Sequence, residues 1–161
     1  MTRLLIIDDH AVVRQGLVQA FCDKGFASIE TAGNLKEGRA KIAAFNPEAI
    51  IVDLNLPDGS GLEIVQWVRK HSADVAIVIL SLNDPAQFVK IARSSGANAY
   101  LSKSQSMPEI ISSVIFALSN PGSFTSNLTV DQPFDFDLTP REIEVLYLLA
   151  EGASNLDISQ K

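Results

Sequence analysis

Residues 50–61 read Ile-Ile-Val-Asp-Leu-Asn-Leu-Pro-Asp-Gly-Ser-Gly, an apolar run that ends in the carboxylate of Asp53 and a turn rich in proline and glycine. A continuous run of isoleucine, valine and leucine is typical of a strand that is buried on both faces, as in parallel sheets. The proline and glycines that follow cannot continue the strand. Asp53 is therefore predicted to lie at the carboxyl edge of a sheet, where open α/β sheets bind ligands.

The composition is that of a globular protein. The chain has 161 residues, 47% hydrophobic and 20% charged, which suffices for one well-buried domain and a smaller piece. No apolar run approaches the roughly 20 residues that span a bilayer, and the short apolar run at the N-terminus ends in acids, unlike a signal peptide. We therefore expect a cytoplasmic protein without a membrane partner. The net charge of −6 argues against nucleic-acid binding by these residues, because phosphates are neutralised by basic patches.

Apolar runs alternate with helical patterns along residues 1–119. The predicted strands cover residues 3–8, 28–32, 50–53, 75–80 and 97–101. A helical pattern follows each strand, and helix starts are marked by the capping boxes Asn34-Leu-Lys-Glu37 and Ser106-Met-Pro-Glu109 and by the pair Asp84-Pro85. Strict alternation with short connections predicts right-handed βαβ units, and hence a five-stranded parallel sheet between layers of helices.

The pattern changes after residue 119. Residues 120–137 combine turn formers and acids without periodicity, which predicts a linker. Residues 138–161 contain a further capping box, Thr139-Pro-Arg-Glu142, which opens one amphipathic helix, and the start of a second helix. These two segments are too short to form a core alone.

The sequence pattern assigns no chemical role to the cysteine or to the two histidines of this chain. The single cysteine, Cys22, excludes an intrachain disulfide, and its place in an apolar helical pattern predicts a small buried packing residue. The two histidines, His10 and His71, are expected to be exposed, and neither has a metal-ligand partner at helical spacing.

Polar residues stand at the ends of four predicted strands. They are Asp8 and Asp9 on the first strand, Asp53 on the third, Ser81 on the fourth and Lys103 after the fifth. If the strand order is 2-1-3-4-5, the crevice lies between strands one and three, and three carboxylates meet there. Like charges this close oppose common ionisation and favour a hard divalent cation, Mg²⁺ with Mn²⁺ as a substitute. The lysine ammonium and the serine hydroxyl are suited to phosphoryl oxygens.

This set of groups indicates transfer of a phosphoryl group onto Asp53, with the cation neutralising the developing charge. The segment Gly59-Ser60-Gly61 lacks the spacing and the lysine of a phosphate-binding loop. We therefore expect the phosphoryl donor to be another protein or a small molecule, and not a nucleotide bound by this chain.

Several motifs of the chain resemble, in the same order, the receiver domain of two-component response regulators over residues 1–119. They are Asp8-Asp9, Asp53 in Asp-Leu-Asn-Leu-Pro-Asp-Gly-Ser-Gly, Ser81 and Tyr100-Leu-Ser-Lys103. The start Asp-Asp-His-Ala-Val-Val-Arg-Gln-Gly-Leu and the stretch Leu-Thr-Pro-Arg-Glu-Ile-Glu-Val-Leu-Tyr-Leu-Leu-Ala-Glu-Gly-Ala-Ser-Asn at 138–155 look like the NarL/FixJ branch, whose output is a LuxR-type helix-turn-helix. The resemblance implies a doubly wound, flavodoxin-like sheet in the order 2-1-3-4-5.

The resemblance also implies a phosphorylation and metal site. A sensor histidine kinase would phosphorylate Asp53. Asp9, Asp53 and the backbone carbonyl of Asn55 would bind Mg²⁺, and Asp8 would assist through a water molecule.

The resemblance further implies a switch that reads this site. Ser81 and Lys103 would hold the phosphoryl group, and Tyr100 would swing inward as Ser81 moves, altering the face formed by helix four, strand five and helix five. Homodimerisation on phosphorylation and transcriptional control are the expected outputs. The protein would be a switch and not an enzyme.

One part of the family pattern is incomplete. A LuxR-type domain places its third helix in the major groove, whereas residues 138–161 supply one helix and the start of the next. We expect either a fragment of a longer regulator or a natural truncation, with specific DNA binding confined to the full-length parent.

Two alternatives stay open at this point. The first is a phosphatase with an aspartyl nucleophile on a similar sheet, but such enzymes typically place an acid two residues after the nucleophile, and that position is Asn55, which cannot act as a general acid. The second is a binding module that switches by dimerisation without phosphorylation, and it predicts that Asp53→Asn leaves the oligomeric state and partner binding unchanged.

Overall fold

The structure is a computed structural model that describes residues 2–26, 28–82 and 86–126. Its strands are β1 (Arg3–Ile7), β2 (Ser28–Ala32), β3 (Ala49–Asp53), β4 (Asn55–Leu56), β5 (Gly59–Ser60), β6 (Ala76–Ser81), β7 (Ala99–Ser102) and β8 (Thr125–Ser126). Its helices are α1 (Ala11–Cys22), α2 (Leu35–Phe45), α3 (Gly61–Arg69), α4 (Ala86–Ser95) and α5 (Met107–Ser119).

Six of the strands form one sheet in the order β2-β1-β3-β6-β7-β8, and every neighbouring pair in it is parallel. The five longer strands thus take the predicted order 2-1-3-4-5, with β6 and β7 as the fourth and fifth. The chain runs outward from β1 to β2 and then returns past β1 to β3, and this reversal creates a crevice at the carboxyl ends of β1 and β3.

Helices cover both faces of this sheet because its central strands are apolar on both faces. Leu5 and Ile7 of β1 belong to a buried cluster that includes side chains of α3 and α4, whereas Leu4 and Ile6 belong to a second cluster that includes side chains of α1 and α5. Every residue of β3 and β6 is buried. Near-continuous apolar runs therefore became strands between two hydrophobic layers, as predicted.

Side-chain caps set the starts of three helices. Asn34 precedes α2 and accepts a hydrogen bond from the N–H of Glu37 at 2.8 Å, and Ser106 likewise caps α5. These two caps were predicted. A third, at α3, was not: Ser60 and Glu63 form a reciprocal capping box there, although the spacing Ser-x-x-Glu is its ordinary sequence signature.

One expectation about a single residue was wrong, and one predicted segment contains a strand that the sequence did not indicate. Cys22 is exposed, because α1 buries Leu17 and Phe21 and the residue after Phe21 points about 100° away around the helix. Thr125–Ser126, which fall in the predicted linker, form a short sixth strand beside β7. This segment carries no alternation of apolar residues that would have indicated a strand.

Some predicted features fall outside the described residues. They are the Asp84-Pro85 start of α4, most of the predicted linker and the whole of the predicted helix-turn-helix segment at 138–161. Within the described ranges, every helix is too short or too polar to cross a membrane.

Asn98 joins the amino-terminal edge of the sheet to the chain that follows α5. Its side chain is 2% exposed. The amide oxygen accepts from the N–H of Ile77 at 2.9 Å and from Arg69 Nη2 at 2.8 Å, and the amide nitrogen donates to the carbonyl oxygens of Pro121 at 2.8 Å and Ser123 at 3.1 Å. The amide therefore uses its full hydrogen-bonding capacity.

Replacing Asn98 with alanine is expected to lower the free energy of unfolding by about 2 kcal/mol, because buried partners lose their hydrogen bonds without gaining water. Urea denaturation followed by circular dichroism measures the loss. Asn120→Ala is the control, since the exposed Asn120 amide bonds only within its own helix end, to the Phe116 carbonyl, and a change within about 0.5 kcal/mol is expected there. Equal losses in the two variants would contradict the assigned role of Asn98.

Candidate functional site

Asp53 is the last residue of β3 and pairs in register with Leu80 of β6. Its side chain is 4% exposed. One oxygen, Oδ1, accepts a hydrogen bond from the N–H of Asn55 at 3.2 Å, so the turn after the strand orients the carboxylate. Its other oxygen, Oδ2, faces the crevice between β1 and β3.

The turn after β3 closes tightly onto its own start. The N–H of Gly61 donates to the carbonyl oxygen of Leu54 at 2.7 Å. A Cβ atom on Gly61 would overlap the carbonyl oxygen of Asp53 and lie 3.1 Å from Val52 Cγ2. Only glycine fits this approach, so the glycine in the turn holds α3 directly against the backbone of Asp53.

Asp8 and Asp9 come from the turn between β1 and α1. The side chain of Asp8 is 2% exposed and that of Asp9 is 34% exposed. The N–H of Asp8 donates to the carbonyl oxygen of Ala32 at 3.0 Å, and the guanidinium of Arg14 donates to the carbonyl oxygen of Asp8. The main chain at Asp8 is therefore held from both β2 and α1.

Lys103 links the two buried acids. Its ammonium lies 2.8 Å from Asp53 Oδ2 and 3.0 Å from Asp8 Oδ2, and its side chain is 5% exposed. The backbone N–H of Lys103 donates to the carbonyl oxygen of Ser81 at 2.9 Å, which fixes the start of the side chain beside β6. The structure thus brings together the predicted acids and the predicted lysine.

In this pocket, burial and the attraction between Lys103 and the acids shift the pKa of each group, Asp53 and Lys103, in opposite directions. Burial raises the pKa of the Asp53 carboxyl above its ordinary value, and the neighbouring Asp8 raises it further, although the hydrogen bond and positive charge of Lys103 act in the opposite direction. Burial alone would lower the pKa of Lys103, but the hydrogen bond to Asp53 and the close negative charges of Asp53 and Asp8 raise it above the ordinary lysine value. The lysine is thus held charged, whereas its charge does not fully offset the burial of the Asp53 carboxylate.

Ser81, Tyr100 and Asn55 lie close to this pocket along the chain. Ser81 is fully buried at the end of β6 and pairs with Ser102 of β7. Tyr100 is fully buried in the hydrophobic cluster on the α3 and α4 side of the sheet, so its ring already lies inward. Asn55 contributes its N–H to Asp53, as described above. The switch and ligand roles of these three residues stay predictions.

His10 is the site residue that sequence reasoning missed. Its ring is 53% exposed, as expected, yet Nδ1 lies 3.1 Å from Asp8 Oδ1 and 3.2 Å from Asp9 Oδ1. The same nitrogen lies 3.9 Å from Asp53 Oδ2 and 3.3 Å from the Lys103 ammonium. Adjacency to the acidic pair was the available signal, because a residue that follows two strand-end acids stays at the same edge.

The acidic cluster has the composition and spacing of a divalent cation site. One ligand atom each from Asp8, Asp9, His10 and Asp53 lies within 4.8 Å of every other. Within the described part of the chain, Asp8 Oδ2 is a buried oxygen that accepts no well-aligned hydrogen bond, although the Lys103 ammonium is nearby. Carboxylate oxygens that are short of hydrogen bonds suit a hard cation such as Mg²⁺.

Comparison with known proteins identifies the family. A family model described as the response regulator receiver domain matches residues 4–115. The chain belongs to the response regulators.

Two relatives are similar over almost the whole chain, and one solved structure is similar over about three quarters of it. The transcriptional regulatory protein MctR of Rhizobium johnstonii is 29% identical, with 98% of this chain and 77% of the relative covered. A nitrate/nitrite response regulator protein homolog of Haemophilus influenzae is 30% identical, with 98% and 79% covered. A solved LuxR-family DNA-binding response regulator from Staphylococcus aureus superimposes with a TM-score of 0.68 at 26% identity, covering 74% of this chain and 100% of that one.

Proposed function

We propose that this response regulator accepts a phosphoryl group on Asp53 from a sensor histidine kinase. The observation that carries the proposal is the buried contact of Asp53 Oδ2 with the Lys103 ammonium, at 2.8 Å, at the carboxyl end of β3. A phosphoryl group on Oδ2 would enter a pocket that already holds a fixed positive charge. Charge-assisted contacts of this kind suit phosphoryl oxygens.

In the proposed transfer, a carboxylate oxygen of Asp53 attacks the phosphorus atom, and the phosphorus–nitrogen bond to the donor histidine breaks. The electron pair of that bond stays with the imidazole of the kinase. Lys103 stabilises the charge on the transferred group, and the Asn55 N–H keeps the carboxylate oriented. When bound, a divalent cation would neutralise further negative charge on the phosphoryl oxygens.

The proposed ligands of that cation are the carboxylates of Asp9 and Asp53 and the backbone carbonyl of Asn55, with Asp8 acting through water. The proposal of Mg²⁺, with Mn²⁺ as a substitute, rests on the oxygen-rich donor set and on the hydrogen-bond deficit of Asp8 Oδ2.

The proposed readout uses the strands next to the pocket. Ser81 would contact the phosphoryl group from the end of β6, and Tyr100 would respond to the movement of Ser81. The pairing of β6 with β7, which places Ile79 opposite Tyr100 and Ser81 opposite Ser102, supports this coupling.

The proposed output is transcriptional control, in keeping with the relatives named as transcriptional regulators. We assign residues 1–119 to the receiver, 120–137 to a linker and 138–161 to the beginning of a LuxR-type helix-turn-helix domain. Specific DNA binding would belong to the full-length parent, and phosphorylation would promote homodimerisation. A cytoplasmic location stays a prediction from the sequence.

The phosphatase alternative gains no support at the position that it needs. Asn55, two residues after Asp53, offers an amide where a general acid would be required. The alternative of dimerisation without phosphorylation predicts that the Asp53→Asn variant keeps the native oligomeric state and partner binding. Under the proposed function, this variant loses the dimerisation that phosphorylation promotes.

The test is incubation with Mg²⁺ and acetyl phosphate, followed by mass spectrometry of the intact protein. A gain of about 80 Da is expected for the native chain and none for Asp53→Asn. Asp58→Asn is the matched control, because Asp58 lies in the same turn but caps α2 through the N–H groups of Leu35 and Lys36, and it should be phosphorylated normally. A folded native protein that stays unmodified, or an Asp53→Asn variant that gains the mass, would overturn the proposal.

A further inference from the structure

The ring of His10 lies where a ligand of the cation would lie. Two ligands about 2.1 Å from an octahedral ion are about 3.0 Å apart when adjacent and about 4.2 Å apart when opposite. The distances from His10 Nδ1 to the oxygens of Asp8, Asp9 and Asp53 are 3.1, 3.2 and 3.9 Å. One ion can therefore lie between His10 Nδ1 and the oxygens of Asp9 and Asp53 without a large rearrangement, and Asp8 is close enough to act through water.

The groups around this nitrogen already have partners elsewhere. Asp8 Oδ1 accepts from the N–H of His10 at 2.8 Å, and the Lys103 ammonium lies 2.8 Å from Asp53 Oδ2 and 3.0 Å from Asp8 Oδ2. In the tautomer that carries its proton on Nε2, the lone pair of Nδ1 is therefore available to a cation that the neighbouring carboxylate oxygens also bind.

The main chain holds the ring in this place. His10 immediately precedes α1, its N–H donates to Asp8 Oδ1 at 2.8 Å and its carbonyl oxygen accepts from the N–H of Arg14 at 3.0 Å. The outer side of the half-exposed ring faces solvent. This leaves the solvent side of the site open for water and for phosphoryl oxygens.

We propose that His10 is a ligand of the divalent cation and shifts the preference of the site from Mg²⁺ towards Mn²⁺ and other transition metals. Imidazole nitrogen is a borderline ligand that these ions accept readily, whereas Mg²⁺ prefers a shell made only of oxygen. The inference rests on the proposed function in one respect, because it requires the acidic cluster to bind a divalent cation.

The first test is the affinity for each metal alone, measured by calorimetric titration of the unphosphorylated protein with Mn²⁺ and with Mg²⁺. His10→Gln is expected to weaken Mn²⁺ binding about tenfold and to change Mg²⁺ binding by less than about threefold. His71→Gln is the matched control, since His71 follows the far end of α3 and packs against Trp67, and both affinities should be unchanged.

The second test reads the bond directly. Pulsed electron paramagnetic resonance of the Mn²⁺-loaded native protein should show a coupled nitrogen that changes on labelling histidine with ¹⁵N and that His71→Gln retains. This measurement does not depend on the folding of the His10 variant. A manganese signal without histidine coupling, or equal weakening of both metals in His10→Gln, overturns the role of His10 and leaves the cation site standing. Failure of the native protein to bind either metal instead defeats the cation site of the proposed function.

Discussion

Replacing Gly61 with alanine is expected to lower the free energy of unfolding by about 3 kcal/mol. The added methyl group would overlap the carbonyl oxygen of Asp53, a backbone atom at the end of a buried central strand. Backbone atoms in a packed sheet cannot rotate away as a flexible side chain can, so either α3 or the end of β3 must shift. The turn that orients the Asp53 carboxylate would be displaced together with the helix.

Urea denaturation at pH 7 measures this loss, and Gly16→Ala is the control for it. Gly16 lies inside α1, and its nearest neighbour for a new Cβ is the end of the Met107 side chain at 3.5 Å, an ordinary contact. Alanine there should raise stability by up to about 1 kcal/mol, because it favours the helix. The same chemical change should therefore have opposite signs at the two positions. A neutral Gly61→Ala variant would mean that the close approach of α3 to Asp53 is wrong.

The second large effect is expected for Lys103→Met. This change leaves the carboxylates of Asp8 and Asp53, with side chains 2% and 4% exposed, without the ammonium that contacts both. Removing one partner of a buried ion pair commonly costs 3–5 kcal/mol, and we expect about 3 kcal/mol because the pocket is open towards solvent beside Asp9 and His10. Added Mg²⁺ should restore part of the loss, since it supplies positive charge at the same acids.

The pH dependence of this loss follows from the directions of the two pKa shifts. The pKa of Asp53 is raised in the folded protein, so the cost of its ionisation is absent below the ordinary aspartate pKa and grows as the pH rises towards the folded value. The pKa of Lys103 is also raised, so its stabilising contribution is fully present below the ordinary lysine pKa and is lost only as the pH rises through the folded value. The difference between native protein and variant should therefore be largest at neutral pH and shrink towards pH 4.

Lys41→Met is the matched control for the lysine prediction. Lys41 contacts Glu30 at 3.3 Å, and the two side chains are 33% and 47% exposed, so a loss below about 1 kcal/mol is expected. Unfolding free energies measured at several pH values, with and without Mg²⁺, make the comparison. If the Lys103 and Lys41 variants lost equal stability, or the Lys103 loss were independent of pH, the charge balance described for the pocket would be wrong.

Much of the sheet could be predicted because its strands carry a strong local pattern. The apolar runs that became β1, β3 and β6 are buried on both faces, and such strands need no distant partner to be recognised. The strand β8 could not be found in this way. It has two residues, and its position depends on Asn98, which is distant in the sequence and becomes its neighbour only after folding.

The residues of the candidate site also differ in how far the sequence predicts their positions. Asp8, Asp53 and Lys103 could be brought together from the sequence, because parallel strands end at one edge and each residue stands at a strand end. The sequence places His10 at the same edge, next to the acidic pair, but it does not give the direction of the ring, which depends on the turn between β1 and α1 and on the hydrogen bond to Asp8. Exposure was predicted correctly for His10, but exposure does not reveal which atoms the buried side of a ring contacts.

The strand β7 has a mechanical consequence for communication within the molecule. Lys103 follows its last residue and contacts Asp53, while Asn98 precedes its first residue and donates hydrogen bonds to the chain that leaves α5. A strand of four residues is about 13 Å long and stretches very little along its axis. A small displacement of the backbone at Lys103 along the strand axis would therefore also displace Asn98 at the other end of β7, together with the chain that Asn98 binds. The backbone of β7 thus links the Asp53 pocket directly to the chain that leaves α5, in addition to the proposed route through Ser81 and Tyr100.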